Sequence, residues 1–302
     1  AEDQERGGDE LHGKGGPLSV SNMRIEREIC DRFIAAANAA GIPSNDDFNG
    51  PEQDGVGYFQ LTTRKGLRCS TAVGYLRPAK RRGNLEVATE AHTKRIVIEG
   101  GRACGVVYNQ YGRDRVARAR GEVILAAGAI GSPQILMLSG VGPAGHLREH
   151  GIEVRHNSPG VGKNLQDHLQ VRVVYKLNRP ISINNEVRNI FGRGLAGMQF
   201  LLTRRGALSM GASQVCAFVR TRPELEAPDI QFHVQPLSTD KLGHGLHSFP
   251  GVTMSTCQLR PESRGEILLH TPEAFDAPAI HPNYLATELD RQTQVAGMKL
   301  SR

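Results

Sequence analysis

Gln231, His233 and Gln235 alternate along the run Ile230-Gln-Phe-His-Val-Gln235. A period of two puts these polar side chains on one face of a strand and Phe232 and Val234 on the other. Two amides and an imidazole projecting from a sheet can hold a hydroxylated molecule, and the same row can equally be a solvated face. A second chemistry-bearing stretch lies between residues 122 and 168. Val123–Leu125 is an apolar, β-favouring run that breaks into Ala126-Ala127-Gly128-Ala129, and small residues at a strand's end let a ligand approach the backbone. Ser132 and Pro133 read as the N-cap and first residue of a helix that carries Ile135, Leu136 and Leu138 inward and stops at Gly140. A strand, a small-residue turn and a capped helix start form an anion-friendly site of the kind that holds a dinucleotide phosphate.

Gly140-Val-Gly142-Pro-Ala-Gly145 spells G-x-G-x-x-G, and Asp167 stands roughly where a ribose-binding acid would. That fingerprint has to follow a strand and open a helix. Here the glycines follow a helix, which they end, and Pro143 starts a short helix closed by Gly151. A nicotinamide site is therefore rejected.

Gly128-Ala-x-x-Ser132-Pro133-x-Ile-Leu-x-x-Ser139-Gly140-Val141-Gly142, followed by Gly160-Val-Gly-x-Asn164-Leu-x-Asp167-His168, resembles the second signature region of the glucose–methanol–choline (GMC) flavoprotein oxidoreductases. The resemblance implies a mixed α/β fold: part of a Rossmann-like FAD-binding domain with a β-meander, plus a substrate domain on a mostly antiparallel sheet. It implies FAD as cofactor, an alcohol as substrate, and a quinone or oxygen as electron acceptor. The family's phosphate-binding glycine turn and catalytic histidine motifs are not in these 302 residues. The expectation is an internal fragment of a longer flavoenzyme, inert by itself and binding FAD poorly, with no catalytic residue of its own.

The resemblance also assigns site residues. Thr93 corresponds to a position whose backbone meets the adenine, and Ala127, Gly128 and Ala129 would pass close to the ribose or pyrophosphate. Asn164, Asp167 and His168 are expected to tie the loop backbone together. From the alternation alone, the row of Gln231, His233 and Gln235 would roof the alcohol site. Gln214 aligns where choline-acting members carry a carboxylate. An amide supplies no net charge for a quaternary ammonium, so an uncharged alcohol is expected in preference to choline. The rival readings are a non-redox lyase on the same scaffold and a non-catalytic binding domain.

Bulk properties bound these readings. No apolar run is long enough to cross a bilayer, and the polar, glycine-rich stretch from Ala1 to Gly16 is not a signal peptide. The net charge of +6 is carried by Arg77-Pro-Ala-Lys80-Arg81-Arg82 and by Arg113, Arg115, Arg118 and Arg120. With aromatics at 5% and no Trp, these clusters lack what nucleic-acid binding needs. They read as solvated loop charge, with peripheral contact to anionic lipids as the minor alternative. Five separated cysteines without C-x-x-C, and no N-x-[S/T] acceptor, suggest a reduced bacterial cytoplasmic protein, with attachment to the inner membrane as the alternative. His244-x-x-His247 lacks nearby ligands and reads as a surface loop, so no metal is expected.

The elements that must position these residues follow from periodicity. Residues 1–21 read as an irregular lead-in and 24–40 as an amphipathic helix. Short strands are expected at Leu85–Thr89, Arg95–Ile98, Cys104–Asn109, Arg115–Ala119 and Val123–Ala127. Later candidates are Leu169–Leu177, Val215–Val219, Asp229–Gln235, Val252–Leu259 and Gly265–Leu269, with helices over Phe191–Thr203 and Glu288–Arg302. The implied division is 1–78 as lead-in and connecting helix, 79–168 as part of the FAD domain, 169–281 as substrate domain, and 282–302 as the return to the FAD domain.

Overall fold

A computed structural model describes residues 2–241 and 243–302. In chain order it contains helix α1 (Glu28–Ala39), strand β1 (Gly55–Tyr58), strands β2 (Ala91–Glu99), β3 (Arg102–Gln110) and β4 (Arg113–Arg118), and helices α2 (Gly128–Leu138) and α3 (Ala144–Glu149). There follow β5 (Lys163–Leu165), β6 (Gln170–Lys176), helix α4 (Ile190–Thr203), β7 (Val215–Val219), β8 (Ile230–Gln235), β9 (Gly251–Gln258), β10 (Gly265–Leu268), β11 (Ala279–His281) and helix α5 (Glu288–Leu300). Two compact units result: residues 1–85, 168–260 and 291–302, and residues 86–167 and 261–290.

The first unit is built on a five-stranded sheet in the order β6-β9-β8-β7-β1, antiparallel throughout. Its strands are rich in Val, Ile and Phe at alternate positions, which suits a sheet with one face packed. Ile29, Cys30 and Ala37 of α1 pack on Val56, Val215, Ala217, Ile230, Phe232 and Val234. Each large aliphatic side chain buried there contributes on the order of 1.5–3 kcal/mol. Gly297 of α5 lies on the same face; a Cβ there would stand 2.8 Å from Ile230 Cδ1. Helices thus cover the face of Ile230, Phe232 and Val234, and Gln231, His233 and Gln235 belong to the other.

Two local expectations for this unit are corrected. Helix α1 starts at Glu28, because Arg27 is extended with φ −138° and ψ 137°. Its buried guanidinium pairs with Glu186. The lead-in is not wholly irregular: Glu2–Gln4 pairs in parallel with Leu18–Val20.

In the second unit β2, β3 and β4 form a three-stranded antiparallel meander. The expected strands at Leu85–Thr89 and Val123–Ala127 are absent. A strand exists only where a neighbour satisfies its N–H and C=O groups, and β-favouring composition cannot supply that partner. Ile124 is accordingly 81% exposed. Helix α2 begins at Gly128 rather than Ser132, and Gly128 takes the entry turn with φ +78°. Pro133 falls inside the helix instead of opening it. The end of α2 is tied to β2 by Ser139, whose Oγ accepts from Ile96 N at 2.8 Å. Met137, Leu147 and Leu269 form the core beneath. Strands β5, β10 and β11 make a second small antiparallel sheet.

Candidate functional site

In the second unit the glycine-rich motifs converge beside α2. A cavity of about 460 Å³ is lined by Ala129, Ser132, Pro133, Gly162, Asn164 and Ile267, among others. The first turn of α2 has small residues at Gly128, Ala129 and Gly131 beside an exposed Ile130, and a Cβ on Gly128 would meet nothing within 4 Å. A phosphate or a flat ring can therefore reach the backbone of Ala127, Gly128 and Ala129, the property needed of residues that hold a dinucleotide. The opposite wall is fixed by close backbone packing. Gly162 has φ +80°, and Ile267 N donates to its carbonyl at 2.7 Å. Asn164 also adopts the left-handed conformation, φ +60°, which its side chain tolerates better than most. Asp167 accepts from the Tyr284 hydroxyl. Thr93 is half-buried on β2, opposite Tyr108, where the register with β3 shifts before Arg95.

The decoy glycines are placed by the same packing. Gly140, φ +83°, follows the C-cap of α2, and Val141-Gly142 pairs in parallel with His156-Asn157. A Cβ at Gly142 would stand 2.9 Å from Met137 Cγ. These glycines end one helix and fit a hydrophobic core, and the strand they contribute to is two residues long.

In the first unit the strand register assembles a row that no single segment shows. Arg172 of β6 faces Ser255 of β9, Ser255 faces His233 of β8, and His233 faces Cys216 of β7. Arg172 Nη2 lies 3.4 Å from Gln235 Oε1. The Phe59 ring stacks on His233 with centroids 5.9 Å apart, and Phe48 packs against Phe59 and Phe218. Burial, with a smaller contribution from His168, pushes the His233 pKa below its usual 6.5, so the ring is neutral at pH 7. His168 itself bonds the Leu259 carbonyl at 3.0 Å. Ser255 Oγ and Arg172 Nε are buried without a protein partner, and each such group calls for a physical explanation.

Gln214 does not join this row. It is fully buried; its Oε1 accepts from Cys30 Sγ at 3.3 Å and its Nε2 donates to Ile25 O at 3.3 Å. Its carboxamide ties the chain around α1 together, which corrects the expectation that it faces a substrate. Arg172, Ser255 and Phe59 are the residues that sequence reasoning missed. Alternation within β6 marks Arg172 as sharing a face with Gln170 and Val174, but only the register across strands brings it to His233.

Residues 3–170 match the profile of the GMC oxidoreductases. The chain is 39% identical over 296 residues to an alcohol dehydrogenase [acceptor] from Pseudomonas putida, covering 96% of this chain and 53% of that protein. It is 38% identical to an oxygen-dependent choline dehydrogenase from Vibrio vulnificus, with 98% and 53% covered. Among solved structures, a pyridoxine 4-oxidase from Mesorbium loti superposes with a TM-score of 0.84 at 27% identity, covering all of this chain and 55% of that one. The chain belongs to the GMC oxidoreductase family, a family of FAD-binding flavoproteins. It spans about half the length of the curated relatives it matches, 53% in each of the two cited.

Proposed function

We propose that these residues are part of an FAD-dependent dehydrogenase that oxidises the CH–OH group of an uncharged primary alcohol to an aldehyde. The second unit would hold the dinucleotide, with Ala127, Gly128 and Ala129 along its phosphate–ribose stretch and Thr93 at its adenine. The first unit would supply the substrate roof from His233 and Gln235, with Arg172 and Ser255 beside them. FAD, when bound, supplies the hydride acceptor; the protein orients the alcohol and manages its proton. His233, held neutral, can accept or donate one hydrogen bond at each ring nitrogen.

The observation that carries the substrate class is the Arg172–Ser255–His233 row. A fixed guanidinium on that face repels a quaternary ammonium and tolerates a neutral hydroxyl. The whole protein is therefore expected to prefer straight-chain primary alcohols to choline, with a quinone or oxygen as final acceptor. Steady-state kinetics of the full-length protein with a dye acceptor tests this. Arg172→Gln should raise kcat/KM for choline relative to a neutral alcohol by about tenfold, equivalent to about 1.4 kcal/mol. A wild type that already favours choline, or an R172Q ratio that does not move, overturns the reading. The 302-residue chain by itself is expected to oxidise no alcohol and to retain no stoichiometric flavin.

A further inference from the structure

Helix α4 turns its apolar side away from its own chain. Ile190, Phe191, Leu195, Met198, Leu201 and Leu202 are between 53% and 84% exposed. At about 100° per residue they fill one continuous arc of about 140°. The side that meets the rest of the chain carries Gly192, Ala196 and Phe200, which are half-buried. Gly192 has no room for a side chain: a Cβ there would collide with the Glu186 carbonyl. By that side the helix meets the segments that flank it in the chain, and its start is fixed by the Asn189 side chain, which accepts from Gly192 N.

Charge says what covers the apolar arc. No acidic residue occurs between Glu186 and Glu224, while Arg188, Arg204 and Arg205 border α4 and Arg193 lies within it. Arg204 lies over the Phe200 ring, 5.2 Å from its centroid. A second copy of this chain docked by the same face would crowd these arginines against their counterparts. An anionic surface would neutralise them. The helix has 14 residues, about 21 Å of rise, and no helix among the described residues is long and apolar enough to cross a membrane.

We propose that α4 is an interfacial helix that docks the protein on an anionic lipid bilayer, its apolar arc at the acyl-chain boundary and its flanking arginines at the level of the phosphates. Such helices combine buried apolar area with attraction to anionic headgroups. The long arginine side chains can reach the headgroups while their methylenes stay with the apolar layer.

The test is flotation of the full-length protein with phosphatidylcholine vesicles, with and without phosphatidylglycerol. Binding is expected with the anionic vesicles and should weaken as salt is raised. The triple variant Phe191→Ser/Leu195→Gln/Leu202→Gln should lose at least about tenfold in binding while keeping its thermal melt, because these side chains are exposed. Arg204→Ala/Arg205→Ala should remove much of the dependence on phosphatidylglycerol. In a Cys104→Ser background, which removes the accessible native thiol, an environment-sensitive dye on Leu195→Cys should shift to the blue when vesicles are added. No flotation, or equal flotation of the triple variant, overturns the assignment. So does a lipid-free dimer that the triple variant splits, which would make the occupant a second copy. A Leu195→Cys thiol inaccessible in the native full-length protein would make it the remainder of the chain. Binding is read without turnover, so an inactive protein that still floats would refute the alcohol-oxidation reading and leave the helix assignment standing.

Discussion

Gly162→Ala and Gly160→Ala, two residues apart in one motif, should have opposite consequences. Gly162 has φ +80°, and a Cβ there would fall far inside contact distance of the Ile267 backbone oxygen. An L side chain in that conformation costs roughly 1–2 kcal/mol. The overlap is with backbone, which cannot rotate aside, so strands must separate at a further cost of about 1–3 kcal/mol. That movement also threatens the 2.7 Å bond from Ile267 N to Gly162 O, with a net value of about 1 kcal/mol. Restricting the unfolded chain returns only about 0.4–1 kcal/mol, leaving a loss of about 2–5.5 kcal/mol. At Gly160 a Cβ meets nothing within 4 Å and φ is not in the left-handed range. Gly160→Ala should therefore be neutral or slightly stabilising. Urea unfolding of both variants in the full-length protein, followed by circular dichroism, measures the difference. If the two midpoints correspond to stabilities within about 1 kcal/mol of each other, the close approach of Gly162 to β10 is not what the motif's second glycine is for.

Gln214→Glu should destabilise by about 3 kcal/mol at neutral pH, because a carboxylate would be buried without a cation and could not donate to Ile25 O. Burial raises that glutamate's pKa above its unfolded value, so the loss should shrink as pH falls; a pH-independent melt would refute it. Cys30, Cys69, Cys216 and Cys257 are buried and Cys104 half-buried, and burial pushes the Cys30 thiol up to about 12 and the Cys216 thiol higher still. A disulfide reagent applied to the native protein should therefore modify Cys104 alone, and rapid labelling of Cys30 or Cys216 in a peptide map would contradict the packing. His233 has its folded pKa lowered below 6.5. Its contribution to stability should be complete above that value and lost as pH falls through the folded pKa. The melting temperature of His233→Gln should accordingly depend less on acid than that of the wild type, and equal slopes would show that another group carries the effect.

The amphipathic periods of α1, α4 and α5 and the β-branched runs of β6 to β9 were legible because each element's pattern is local and repeats at 3.6 or 2 residues. The motif from Gly128 to His168 was legible for a different reason: packing as tight as that of Gly162 against β10 admits very few residue types. Ser132-Pro133 misled because a proline is tolerated one turn into a helix as well as at its start, and the true entry was set by the left-handed Gly128. Val123–Leu125 misled because strand formation is a property of a pair of segments.

By itself the sequence determined the family, the cofactor, the alternation of His233 with Gln231 and Gln235, and nearly every helix and strand that has a strong period. Tertiary structure alone decided which residues share a face of the sheet. Arg172, Ser255 and His233 are far apart in the chain and meet through the register of three strands, a non-local quantity that no segment encodes. It also withdrew Gln214 from the candidate site, since a side chain beside a strand can be captured by whichever buried donor and acceptor it meets first, here Cys30 and Ile25.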